Sequence, residues 1–451
     1  MNKTIRLLSL VMATLMSLAL LTSCDETGNE PNGGGDNNKV TGRTIGGKEL
    51  VVVEGRINGK NNHWTADKVY ALKGIVTVPA SETLTIDAGT TIIEEPTPSG
   101  ATGVLVVTRG AKIMAEGTAQ KPIVFTSSKA VDNNAGRPAP GDFGGVIILG
   151  KAKVNTPTDA QFIEGLNQGV EEYRYGGDDD EDNSGVLRYV RIEYAGFILG
   201  DSNEINGLTC GGVGRGTTLD HIQVSWGLDD SFEFFGGCVN ATHLVSYACD
   251  DDNFDFDNGF TGSITYGVAI ANPASTHSDS KGKSDSNGIE LDNNAKAQDE
   301  TFSLIPKTHP TLTNVSIIGA STRVANVHNN FQGDAYKYAA RVRRGGQITL
   351  KDCILTGYPK GFVLDSDADK MEHSKIEGSS FHGFDAAFEI KNGSAKPTTG
   401  IIEVINKDSA ATFGMKAPFG TPADFMGAQV GAFPASKGNW LQGWTAFSSS
   451  Y

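Results

Sequence analysis

Eight carboxylates crowd the stretch from Asp229 to Asp257: Asp229, Asp230, Glu233, Asp250, Asp251, Asp252, Asp255 and Asp257. Oxygen ligands in such excess are what Ca2+ takes, in about six- to eightfold coordination. Asp230, Glu233, Asp251, Asp252, Asp255 and Asp257 are the expected metal ligands. Trp226 stands just before them, and an indole beside acids can stack on a sugar ring while the acids take its hydroxyls. Trp226, Asp229 and Asp230 are therefore expected to bind ligand, helped by His277, His328, Tyr336 and Tyr338 from later loops. Each Asp taken singly has a plainer reading, as a turn former bonding local backbone N–H groups. Trp226 has one as well, as the cover of a coil edge.

Scattered acids meet only if the chain stacks them, and a repeat supplies the stacking. Asp229–Gly237 reads DDSFEFFGG and Asp251–Gly259 reads DDNFDFDNG, 22 residues later in register. His221 matches His243, and Ile222 matches Leu244. A fixed period in the low twenties marks one structural unit repeated on itself. The units are Gly-rich, β-branched and without helical periodicity, so the expected fold is an all-β parallel β-helix. Its coils hold about 22 residues, and equivalent side chains stack about 4.8 Å apart. Earlier repeats agree: TLTIDAGTTI from Thr83 matches GVLVVTRGAKI, which ends at Ile113, at an offset of 21.

From Leu187 two strand types alternate. The second type has apolar inward sites in every coil: Leu208 and Cys210, Phe232 and Phe234, Phe254 and Phe256, Ile289 and Leu291, Ala340 and Val342, Phe362 and Leu364, Phe388 and Ile390. That is period-two alternation carried down a stack. The outward sites then form two ladders. One runs Glu233, Asp255, Glu290, Arg341, Val363, Glu389, and the other Phe235, Asp257, Asp292, Arg343, Asp365, Lys391. Arg341 and Arg343 can neutralise Glu290 and Asp292 from the next coil, but they lie too far on to serve Glu233, Asp255 and Asp257.

Long insertions are expected at one turn: Phe197 to Asn206, Asn272 to Asn287 and Ser321 to Tyr338. The coils between the first two are short there, so tall walls would flank a low acidic floor. Lys281 and Lys283 ride on the second wall. The stacked His221 and His243 show no third metal ligand and read as structural. Asp178 to Asp182 reads as a solvated charge run. Cys210 and Cys353 fall at inward sites. Cys238 and Cys249 lie half a coil apart on different faces, which leaves a bridge open without favouring it, and no pair has zinc-finger spacing.

The chain begins as an exported one. Lys3 and Arg6 precede an apolar run from Leu7 to Leu21, too short to span a membrane. Leu21-Thr22-Ser23-Cys24 looks like a bacterial lipobox, with cleavage before Cys24 and lipidation of its thiol. The expected organisation is a signal peptide over 1–23, lipidated Cys24 and a flexible tether over 24–45, and the β-helix over 46–451. Cleavage takes two basic residues and no acidic one from a chain of formal charge −15, giving −17. Such a surface repels nucleic acid and anionic headgroups.

Four long motifs carry a family resemblance: GDFGGVIILGKAKVN from Gly141, DNSGVLRYVRIEYAG from Asp182, GVGRGTTLDHIQVSWGLDDSFEFFGG from Gly212 and DDDNFDFDNG from Asp250. The chain resembles secreted or lipid-anchored right-handed parallel β-helix proteins frequent in Bacteroidetes, over most of residues 48–450. Asp25 and Glu26 resemble the surface-export signal of such lipoproteins. The resemblance implies fold and surface location, and no reaction. The expected role is an outer-membrane, surface-exposed binding module for polysaccharide or another nutrient, holding Ca2+ and working beside a TonB-dependent transporter. The alternatives are a polysaccharide lyase or glycoside hydrolase, and a structural or adhesive surface rod.

Overall fold

The computed structural model describes residues 38–95, 103–132, 136–158, 161–200, 203–272, 286–319, 337–397, 399–406 and 430–447. The expected signal peptide and Cys24 lie outside them. Residues 36–451 form one compact unit by their contacts.

The strands stack in parallel, as the repeat requires. The long strands Gly185–Glu193, Thr218–Ser225, Asn240–Tyr247, Ser263–Ile270 and Thr311–Ile318 pair in sequence order. Each breaks at its middle on a residue in the left-handed region: Tyr189, His221, His243, Tyr266 and Asn314, with φ between +50° and +60°. Pairing skips that residue, so Asp220 faces Thr242 and Ile222 faces Leu244. What reads in sequence as one strand is therefore two, and a coil holds three.

The third strand of each coil carries the chemistry. Leu208–Gly211, Phe232–Phe235, Phe254–Asp257 and Ile289–Leu291 pair one above another, then Tyr338–Val342, Lys360–Leu364 and Ala386–Ile390. Inward residues fill one continuous core. Phe232 stacks on Phe254 and Phe234 on Phe256, both at 5.5 Å between ring centres. Burying a Phe removes roughly 150–250 Å² from water, so these columns hold the register of the coils that bear the acids.

The N-terminal end and parts of the outer faces are covered. Asn38–Ile45, within the expected tether, is a strand that pairs antiparallel with Lys48–Arg56. It shields the edge that the first coil would otherwise expose. Residues 430–447 return over the first sheet, where Gln223 exchanges two hydrogen bonds with Ala446 at 2.6 and 2.9 Å. Insertions are not confined to one turn. Residues 150–184 and 292–310 leave after the third strand, and the first of these folds Ile163, Leu166 and Tyr175 onto Val104, Val106, Ile147 and Leu149. Those four point outward from the third strands, so the sheet is apolar and covered at its N-terminal end and becomes acidic further along.

Candidate functional site

The acids reach one place because the register puts them there. Glu233 pairs with Asp255, and Asp255 with Glu290. One turn earlier, Asp230 Oδ1 accepts from the backbone N–H of Asp252 at 2.9 Å. Asp252 Oδ1 in turn accepts from Asn287 N. Each of these Asp residues thus uses one oxygen to tie its coil to the next, as turn formers do.

The carboxylates also approach one another. Among the described residues, three all-acid groups hold ligand atoms within 4.8 Å of one another: Asp229, Asp230 and Asp251; Asp230, Glu233 and Asp255; Asp252, Asp255 and Glu290. Asp230 and Asp255 each belong to two groups. At 4.8 Å and an effective dielectric of 20, two ionised carboxylates repel by about 3 kcal/mol. Asn206 donates to Glu233, and Asn287 Nδ2 donates to Glu290 Oε2 at 3.0 Å. Asp255 Oδ1 is buried with no hydrogen-bond partner.

Charge in this setting is suppressed. Burial, and then the neighbouring carboxylates, push Asp229, Asp230 and Glu233 well above the ordinary carboxylate range. Asp255 is pushed up to about 7 by burial and then by Asp292, with Arg343 opposing. A cation placed among them would reverse the preference by favouring the ionised form.

The arginine end is closed by ion pairs, as the ladders suggest. Arg343 Nε lies 2.8 Å from Asp292 Oδ1, and its other arm meets Glu290. Arg344 reaches Asp292 at 2.6 Å, while Arg341 turns mainly to Asp365 at 2.9 Å. Guanidinium groups thus pair directly with the Glu290–Asp292 coil, and Arg343 also acts on Asp255 in the coil before it.

Two acids of the site are absent from the sequence reading. Glu164, in the first insertion, is raised to about 8 by burial and then by Glu204, which lies in the hairpin of Phe197–Gly200 and Asn203–Ile205. The same Glu164 raises Glu233 and Asp229. Neither residue shows a local motif. The outward apolar residues Val106, Ile147 and Leu149 are the sequence signal that something folds over this face.

Other expectations change. Trp226 is not on the floor: it is 3% exposed and packs with Tyr194, Val245 and Tyr247 in a second apolar cluster under the C-terminal segment. Its φ of +56° places it at a corner of the coil. Tyr338 is buried among cations, with Arg341 5.1 Å and Lys391 5.6 Å from its ring centre. Asp257 belongs to none of the three groups. His277, His328, Tyr336, Lys281 and Lys283 lie outside the described residues. Of the expected walls, the hairpin from Phe197 is described apart from residues 201–202, and the other two only at their ends.

His221 and His243 do stack, 4.1 Å apart, between Tyr189 and Tyr266. Both Nδ1 atoms meet Asp220 Oδ1, at 2.7 and 3.0 Å. Burial alone would raise Asp220, but hydrogen bonds from His221, His243 and Thr242 outweigh it and hold the carboxyl well below its usual range. The charge run is not merely solvated: Asp180 pairs with Lys153 at 3.0 Å, and Asp182 is buried against Ser184. All four described cysteines are free and buried.

A family model described as a pectate-lyase-like β-helix domain matches residues 55–445. No curated protein matches the chain. Among solved structures, the chain is similar to the A-module of the mannuronan C-5 epimerase AlgE4 of Azotobacter vinelandii, at 12% identity and a TM-score of 0.28, covering 74% of this chain and 87% of that one. It is similar to the Dettilon tailspike protein, at 11% identity and a TM-score of 0.24, covering 80% and 61%. A mutant of the periplasmic alginate epimerase AlgG matches at 10% identity and a TM-score of 0.23, covering 80% and 85%. These likenesses are distant and carry nothing about activity.

Proposed function

From a chain that belongs to the pectate-lyase-like β-helix family, we propose a polysaccharide-binding protein whose acidic groove holds Ca2+ and takes an acidic glycan through it. The observation that supports this reading is Asp255. It is shared by two carboxylate groups and holds a buried oxygen that no donor meets. A groove this acidic repels a uronate chain, and a bridging divalent cation turns the repulsion into attraction. The family takes its description from a lyase of an acidic polysaccharide, which suits the same ligand class.

Binding is favoured over lyase cleavage because, among the described residues, the nearby arginines are engaged. Arg341, Arg343 and Arg344 are each ion-paired with Glu290, Asp292 or Asp365. A lyase needs a basic group to take a proton from the sugar. Hydrolysis is the second reading. It is favoured by Glu164 near 8 and Asp255 near 7, which keep protonated carboxyls in the groove at neutral pH, and glycosidases work with paired acids of unlike ionisation.

The lipobox ending at Cys24 and the acidic Asp25 and Glu26 support an outer-membrane anchor at the cell surface. A TonB-dependent transporter is the fitting neighbour for captured glycan. Among the described residues no helix is long and apolar enough to cross a membrane.

Calorimetric titration tests the reading: calcium into chelator-treated protein, then polygalacturonate and alginate into the loaded protein. Calcium binding and calcium-dependent glycan binding, both lost in Asp255→Asn, are expected. Glycan binding that ignores calcium and survives Asp255→Asn would overturn it, and release of reducing ends would move the assignment to hydrolysis.

A further inference from the structure

A second set of unmet oxygens lies at the other end of the third strand, where the first insertion meets the coil. Asp257 ends the strand Phe254–Asp257, two residues past Asp255 and thus about 7 Å along. Asn258 follows in the left-handed conformation, φ +52°. The preceding coils use Gly236 and Gly212 at this corner, at +64° and +59°. Glycine is the undemanding occupant of such a backbone, so the asparagine is there for its side chain.

That side chain reaches the insertion. Asn258 Nδ2 lies 3.4 Å from the Tyr175 hydroxyl, which is 3.3 Å from Thr156 Oγ1. Asn155 N donates to Asn258 O at 2.9 Å. The Asn155 amide nitrogen is fully used, by Asn293 O at 2.7 Å, Asn293 Oδ1 at 3.1 Å and Pro306 O at 3.1 Å. Three acceptors around its nitrogen fix which way the amide points. Its oxygen is left over.

Three buried oxygens on these adjoining residues have no donor: Asn155 Oδ1, Asp257 Oδ1 and Asn258 Oδ1. Asn155 and Asn258 are each only 6% exposed. A buried polar atom left unmet is destabilising; Arg343 and Arg344 act on Asp257 from the next coils, but no hydrogen-bond donor meets any of the three atoms. Amide and carboxylate oxygens are the hard ligands that Ca2+ and Na+ prefer.

We infer that Asn155, Asp257 and Asn258 form a separate site for a hard cation, which staples residues 150–184 to the solenoid. The site stands apart from the groove cation and does not need it. With a single carboxylate it is the weaker of the two. Its role is to seat the insertion that brings Glu164 to the groove.

The test uses the full chain, freed of metal and returned to calcium, to sodium, or to choline as the bulky control. Two readouts apply: bound calcium per protein, and proteolytic cleavage within 150–184. Asn258→Gly keeps the backbone conformation and removes only the oxygen and its amide. It should lose one equivalent of calcium, or all sodium protection where sodium is the occupant, and its insertion should be cut at least tenfold faster. Asp255→Asn should lose the groove equivalent while the insertion stays protected. Asp257→Asn, of the same shape, gives the same answer if Asn258→Gly does not fold. Unchanged stoichiometry and unchanged protection in both site variants would overturn the inference and leave water as the partner of these oxygens.

Discussion

Calcium should turn the acidic groove from the weakest part of the fold into a cross-link, and pH should report the change. Asp255 ionises near 7 in the fold against an ordinary 3.8. Between those values the folded state keeps a proton that the unfolded chain has released. Stability then falls as pH rises through the window, and the loss from Asp255 reaches about 4 kcal/mol by pH 7. Asp230 and Glu233 face it from the coil before, Glu290 and Asp292 from the coil after and Asp252 from its own turn, and Arg343 offsets part of their charge. Glu164, ordinarily at 4.5 and here near 8, adds a loss of the same sign over its own window. For a folded unit of this size, about 4 kcal/mol corresponds to roughly 5 °C in melting temperature. In chelator, melting should therefore drop by at least that much from pH 5 to pH 8. Millimolar calcium should flatten the slope and raise the midpoint most at pH 8. Asp255→Asn has no such proton to lose, so its chelated slope should shrink and its response to calcium should fall. Differential scanning calorimetry across pH, with and without calcium, reads all four arms. A flat chelated profile, or an Asp255→Asn variant that gains as much from calcium as the parent, refutes the reasoning.

Trp226→Ala should destabilise by about 3–5 kcal/mol, as loss of a large buried ring does, while calorimetry finds calcium and glycan binding intact. Arg343→Met takes from Glu290 and Asp292 the guanidinium they share and should cost about 3 kcal/mol in denaturant melts, with recovery in calcium. Asp220 is held below its ordinary 3.8, so its contribution is present above that value and is lost as pH falls further. Asp220→Asn should remove that part of the acid slope below pH 4, as read by melting at pH 2 to 4.

The solenoid and its acidic ladder could be read from residues because both follow from one period. Phe232 and Phe254 repeat at 22, Glu233 and Asp255 repeat with them, and the observed pairing is the same. The corner residues were harder. A left-handed His221 or Tyr189 looks like any strand residue, so two strands read as one, and Trp226 at such a corner reads equally as floor or as the cover of a coil edge, while the structure buries it in an apolar cluster. Insertions have no period, and nothing local to Glu164 says that it folds over a sheet sixty-odd residues further along. Its trace lies elsewhere, in Ile147 and Leu149 standing apolar on an outward face that only a cover could keep dry.

The same regularity explains why the groove demands a counter-charge. A repeat that stacks phenylalanines at about 4.8 Å also stacks whatever alternates with them, and the backbone ladder forbids the coils to move apart. Acids in consecutive coils have three remedies: water, protons or cations. The coil of Glu290 and Asp292 meets a guanidinium from Arg343. In the coils of Glu233 and Asp255, burial and neighbouring carboxylates raise the acids, and Arg343 offsets only part of that at Asp255. On the proposed reading, this cluster should take an acidic ligand only when calcium is bound, so that calcium would control binding as well as carry it.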